Sequence, residues 1–159
     1  MHLHIINGPN LNLLGVREPE VYGTDSWQHL LPPMQLMVRE WHREAQLTLF
    51  QSNHEGSLID YIHEYGLQPE TGFVLNAGGL SHTSIALADA VKAVAHLTPT
   101  VEVHISNVYQ REPYRHQSYI AAAAVGSISG LGTMGYQLAL EFLMKYMPSL
   151  PNAQLKVKA

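Results

Sequence analysis

The stretch Gly72-Phe73-Val74-Leu75-Asn76-Ala77-Gly78-Gly79-Leu80-Ser81-His82-Thr83-Ser84-Ile85-Ala86-Leu87-Ala88-Asp89-Ala90-Val91 spells out a strand, a turn and a helix in succession. Its opening is a short apolar run ending at Asn76, of the length of a strand buried on both faces. Two glycines and a Ser/Thr cluster follow, and then Ile85, Ala86, Ala88 and Val91 recur at helical spacing. Further strand candidates are His2 to Asn7, Leu47 to Ser52, Thr100 to His104 and Ala124 to Ser129. Helical patterns lie between them, as in Leu58-Ile59-Tyr61-Ile62-Tyr65, and Gly135 to Met147 reads as a closing helix carrying Leu138, Leu140, Phe142 and Leu143. Five strands alternating with helices imply a parallel sheet covered on both faces, one doubly wound α/β domain over residues 1–147. Because proline is tolerated in a helix's first turn, Pro32-Pro33 predicts a regular helix that starts there and runs to about Arg43. The tail from Pro148 to Ala159 has no period and is expected to be loosely held.

Composition narrows the function classes. At 159 residues, 46% hydrophobic and 14% charged, one domain with a substantial core needs no disulfide, and there is no cysteine to make one. The net charge of −4 comes without any dense Lys/Arg cluster, which argues against a nucleic-acid partner. The N-terminus lacks the pattern of a secretory signal. The longest apolar stretch, Tyr119 to Val125, is too short to span a bilayer. A cytoplasmic protein without a membrane partner is the expectation. The ten histidines outnumber Lys and Arg together, which leaves metal binding, acid-base chemistry or no function open.

Ligands of open α/β sheets bind beyond the carboxyl ends of the strands, where strand order reverses. Three polar clusters lie at such ends. Asn7-Gly8-Pro9-Asn10-Leu11-Asn12 follows strand one, with Arg17 and Tyr22 in the next loop; Asn76 to Ser84 follows strand three; His104, Ser106, Asn107, Arg111 and Arg115 follow strand four. If the strand order is 2-1-3-4-5, all three face one crevice. In the second cluster, two glycines allow close backbone approach and Ser81 can cap the next helix, which suits either a polar ligand or an ordinary strand-to-helix turn. In strand four, Val101, Val103 and Ile105 fall on one face, with Glu102, His104 and Ser106 on the other. A buried carboxylate two residues from an imidazole fixes its tautomer and favours its protonated form. His104 is thus either a proton donor or half of a structural pair.

Two motifs point elsewhere. Gly130-Leu131-Gly132-Thr133-Met134-Gly135 matches the dinucleotide fingerprint, but it follows the last strand, with no room for the acidic strand such a site needs. Close helix-strand packing accounts for those glycines. No His-Glu-x-x-His motif occurs, and the remaining histidines lack metal-ligand spacing on one helix.

Taken in order, Ile6-Asn7-Gly8-Pro9-Asn10-Leu11-Asn12-Leu13-Leu14-Gly15, Arg17-Glu18-Pro19 and Tyr22-Gly23 resemble the opening of type II 3-dehydroquinate dehydratases. Gln51-Ser52-Asn53-His54-Glu55-Gly56, Asn76 to Ser84, and Glu102 to Asn107 with Arg111-Glu112-Pro113 and Arg115-His116 also resemble that family. The resemblance implies a flavodoxin-like fold and conversion of 3-dehydroquinate to 3-dehydroshikimate and water, without metal, nicotinamide or Schiff-base lysine. It implies Tyr22 as the base, Arg17 as the cation that stabilises its phenolate, and Asn10 as holder of a water against the enolate oxygen. It further implies His104, oriented by Glu102, as the acid. Asn76, His82, Arg115 and the Ile105-Ser106 backbone would grip the substrate. Asp89 would reach a neighbouring subunit's site within trimers that build a dodecamer. The chain departs from the usual family pattern at Ala77, Gly79, Ala88 and Tyr109-Gln110. A flavodoxin-like flavin- or nucleotide-binding module without dehydratase activity is the alternative, and a hydro-lyase of another hydroxylated cyclic ketone is a second one.

Overall fold

The computed structural model of the chain describes residues 1–15 and 26–149. Five parallel strands form one sheet: β1 (His2–Asn7), β2 (Gln46–Gln51), β3 (Thr71–Asn76), β4 (Thr100–His104) and β5 (Gly126–Ser129). Their order is β2-β1-β3-β4-β5, as the resemblance implied. The chain reverses direction across the sheet at β1 and β3, which places a crevice at their carboxyl ends.

Alternation along the strands separates two core layers. Leu3, Ile5, Val74, Val101 and Val103 pack on one face with Met34 and Val38 of α1 (Trp27–Trp41) and Leu140 and Leu143 of α4 (Met134–Tyr146). Ile6, Phe73 and Leu75 pack on the other with Leu58 and Ile62 of α2 (Glu55–Gly66) and Leu87 and Val91 of α3 (Ile85–Val94). No described helix is long and apolar enough to cross a membrane.

The structure corrects the reading of Pro32-Pro33. Helix α1 begins at Trp27 and both prolines lie inside it, with the Ser26 carbonyl accepting the first turn's N–H groups from His29 and Leu30 at 3.0 Å each. It ends at Trp41, short of Arg43. Trp27, Leu30, Leu31, Met34 and Val38 share one face at helical spacing and pack on the core, so burial extends the helix upstream of the prolines. Pro32 and Pro33 are exposed, as are Gln28 and His29, whose carbonyls lose their helical donors, so water can serve them.

Ser81 does not cap α3. The connection from β3 contains a 3₁₀ turn, Gly78–His82, that moves the helix start onward, so Ser84 accepts the Leu87 N–H at 2.8 Å instead. Of the three glycines after β5, Gly130 and Gly132 have left-handed backbones, φ 88° and 60°, and serve the turn, whereas Gly135 serves packing: a Cβ on it would lie 3.2 Å from Val103 Cγ1 and 3.4 Å from Ile128 Cγ2. That is the close helix-strand contact expected from the sequence.

Candidate active site

The carboxyl ends of β1, β3 and β4 open into one cleft, about 750 Å³ including its mouth. Asn10, Asn76, His82, His104 and Arg115 line it together with the Ile105-Ser106 backbone. These are residues the sequence picked from three separate clusters. Arg17 and Tyr22 lie outside the described residues. Asp89 is described but does not line this protomer's cleft; its exposed carboxylate lies 3.7 Å from Lys92, one turn away on α3.

His104 is the last residue of β4, and its Nε2 lies 3.0 Å from Glu102 Oε1. The two-residue period of a strand puts both side chains on one face, opposite Val101 and Val103. Glu102 is 1% exposed. Burial alone would raise its pKa, but hydrogen bonding and charge from His104, followed by the hydroxyls of Ser118 and Ser127, outweigh it and leave the carboxyl below its ordinary value. Ser127 donates to Oε2 at 2.9 Å from the position directly opposite Glu102 in the β4–β5 register. A carboxylate with donors on both oxygens stays ionised and, because it only accepts, fixes a proton on the imidazole's Nε2.

The His82 ring stacks on His104, with centroids 5.7 Å apart and planes at 17°. Its Nδ1 lies 2.7 Å from the Gln117 carbonyl. A carbonyl only accepts, so Nδ1 carries the proton and Nε2 is left as an acceptor. Burial, joined by the charges of His104 and Arg115, holds the His82 pKa below its ordinary value despite the carbonyl bond. The two rings therefore differ in tautomer: His104 carries a proton on Nε2, towards Glu102, and His82 carries its proton on Nδ1, towards the Gln117 carbonyl.

One wall is cationic. Arg111 Nη1 donates to Ser106 Oγ at 3.2 Å, and Arg115 Nε donates to Glu112 Oε2 at 2.7 Å while its guanidinium lies 5.2 Å from the Tyr114 ring centroid. Glu112 has a pKa of about 2, lowered first by a backbone N–H and next by Arg115. Leu11, Leu13 and Leu14 add apolar lining. A cleft that combines fixed cations with apolar surface suits a small anion with a carbon skeleton.

Supporting residues hold the site in place. Asn10 has a left-handed backbone, φ 69°, and its N–H donates to Asn53 Oδ1 at 2.8 Å; Gln51 Nε2 bridges Asn53 Oδ1 and the Gly8 carbonyl at 3.2 Å each. This gives the Gln51 to Gly56 motif a physical purpose: it holds the Asn10 turn. Ser118 and Ser127 were missed because only strand register and loop path bring them to Glu102. Among the described residues, no three His, Asp or Glu side chains converge to hold a metal.

Comparisons with known proteins agree with the architecture. The family described as Dehydroquinase class II matches residues 1–144. A 3-dehydroquinate dehydratase of Halothermothrix orenii is 51% identical over 140 residues, which cover 88% of this chain and 91% of that protein. A catabolic 3-dehydroquinase of Candida albicans is 47% identical over 142 residues, covering 89% and 96%. The crystal structure of the type II dehydroquinase from Butyrivibrio crossotus superposes with a TM-score of 0.84 at 39% identity, covering 90% of this chain and 97% of that one. With one family spanning nearly the whole domain and the sheet order and cleft in agreement, the chain belongs to the class II dehydroquinases, the type II 3-dehydroquinate dehydratases.

Proposed function

We propose that the protein eliminates water from 3-dehydroquinate by an anti mechanism through an enolate, with Tyr22 as base and His104 as acid. The observation that carries the acid assignment is the 3.0 Å His104–Glu102 pair at the mouth of β4. The Tyr22 phenolate, stabilised by Arg17, takes the proton alpha to the ketone, and the electron pair moves into the enolate. Asn10 holds a water that donates to the developing enolate oxygen. The enolate collapses, the beta carbon–oxygen bond breaks, and His104 gives its Nδ1 proton to the departing hydroxyl. The products are an enone, 3-dehydroshikimate, and water, and Nε2–H stays on Glu102 throughout.

Asn76, His82, Arg115 and the Ile105-Ser106 backbone bind the substrate's hydroxyls and carboxylate. The cationic wall supports the placement of the carboxylate. Asp89, exposed and outside the lining of its own cleft, serves a neighbouring subunit within trimers that form a dodecamer.

Tyr22→Phe removes only the ionisable oxygen. It is expected to leave the fold and substrate binding in place while lowering turnover by about 10²–10⁴-fold, read from the ultraviolet absorbance of the enone. Near-normal turnover would sink the assignment. The same assay after chelation is expected to show full activity, and chelator-sensitive activity would count against a metal-free elimination.

A further inference from the structure

We infer that Tyr136, a core residue of α4, is a positioning residue that locks the Asn76 amide so that the cleft meets a hydrogen-bond donor there. This rests on the reading that Asn76 contacts the substrate. Asn76 ends β3, lines the cleft, and is 4% exposed. Its Oδ1 lies 3.1 Å from the Gly78 backbone N–H, a group that can only donate. The oxygen is therefore committed to the turn, and the NH2 group faces the other way.

There Nδ2 donates to the Tyr136 hydroxyl at 2.7 Å, and that hydroxyl donates to Asn7 Oδ1 at 3.0 Å. Asn7 ends β1, so one phenol ties the last residues of two neighbouring strands. The polarity of the chain runs one way, from Asn76 through Tyr136 to Asn7. Tyr136 is fully buried, and burial pushes its ionisation above the ordinary tyrosine range, so the phenol keeps its proton and the polarity does not reverse. The Trp27 ring meets Tyr136 edge to face, with centroids 5.0 Å apart and planes at 89°, which fixes the ring's position.

An amide NH2 has two protons. With one given to Tyr136, the other is the group available to the cleft. The substrate atom recognised at this point is therefore an acceptor oxygen. A phenylalanine at position 136 would fill the same space, but it would leave Asn76 Nδ2 without this partner and the amide held by the Gly78 N–H alone.

The test is a cycle of Tyr136→Phe, Asn76→Ala and the double variant, assayed for KM and kcat. Asn76→Ala is expected to raise KM, and Tyr136→Phe to raise it by about tenfold with kcat within about twofold. The double variant is expected to match Asn76→Ala alone, because Tyr136 acts only through that amide. A purely structural Tyr136 would change stability while leaving KM unaltered, or would multiply with Asn76→Ala, and either result overturns its role. An unchanged KM in Asn76→Ala alone removes the substrate contact of Asn76 and the proposal with it. Neutron diffraction from wild-type crystals tests the same point even if Tyr136→Phe fails to fold. Deuterons are expected between Asn76 Nδ2 and the Tyr136 oxygen and between that oxygen and Asn7 Oδ1, and a hydroxyl turned elsewhere overturns the proposal.

Discussion

His4 and His104 are both buried histidines on strands, yet their surroundings give them opposite tasks. His104 faces an ionised carboxylate; His4 faces aromatic rings, with Nδ1 2.8 Å from the Tyr61 hydroxyl and the Tyr65 ring centroid 4.9 Å away. Burial, with a smaller effect from His2, lowers the His4 pKa from 6.5 to about 4. A depressed value means the unfolded chain takes the proton first, so this residue's stabilisation is complete above about pH 6.5 and is lost as pH falls towards 4. Roughly 3 kcal/mol of the acid-side loss is expected to come from His4. Urea unfolding at several pH values should show a correspondingly flatter pH dependence in His4→Phe. For the other pair, Glu102→Gln keeps shape but removes charge. The expected result is a loss of about 10–100-fold in turnover with KM within about twofold, read from kcat and KM at one pH. The Glu102–His104 pair was legible because a strand's period is two. Tyr136 and Asn7 were not, since their contact joins positions 129 residues apart, and nothing in an apolar helix pattern marks which tyrosine carries a buried bond.

At the scale of elements, strands were read to within two residues of their observed ends, because short apolar runs between turn residues leave little freedom. Helix starts were less legible. Proline chemistry placed the start of α1 too late and hydroxyl chemistry offered the wrong serine for α3, each for its own reason. Local preferences of a few kcal/mol or less were outweighed by the burial of an apolar face, or shifted by an extra turn that carries no sequence signal. Replacing Pro32 and Pro33 by alanine is therefore expected to stabilise the protein. Each substitution restores one helical hydrogen bond on the exposed side of α1, for a gain of about 1–2 kcal/mol after the greater freedom of the unfolded chain is counted, as chemical denaturation would show. The β1 turn behaves oppositely. A Cβ on Gly8 would lie 2.4 Å from the Ala77 carbonyl oxygen, where backbone meets backbone and neither can yield cheaply. Gly8→Ala is expected to cost more than about 2 kcal/mol and to lower activity with it, because it pushes apart the two turns that carry Asn10 and Asn76.

The whole molecule follows from strand order. Putting β1 between β2 and β3 gathers three clusters far apart in sequence around one cleft, and this much could be anticipated once the order was assumed. The assembly is a different matter, because which exposed side chains meet a second subunit is not written in any periodicity. If Asp89 completes a neighbour's site, light scattering of the purified protein should give a mass near twelve subunits. Asp89→Ala should then raise KM although its carboxylate does not line its own cleft, and a monomeric protein with full activity would refute both. One feature of β4 bears on durability. His104, the proposed proton donor, and Glu102 are separated by a single valine on a strand between two others, so their alignment depends on no hinge and no second chain. That half of the chemistry is inherited from the backbone as the sheet forms. It is expected to survive dilution into single subunits and to disappear only with the sheet, while chemistry supplied across subunits is lost first.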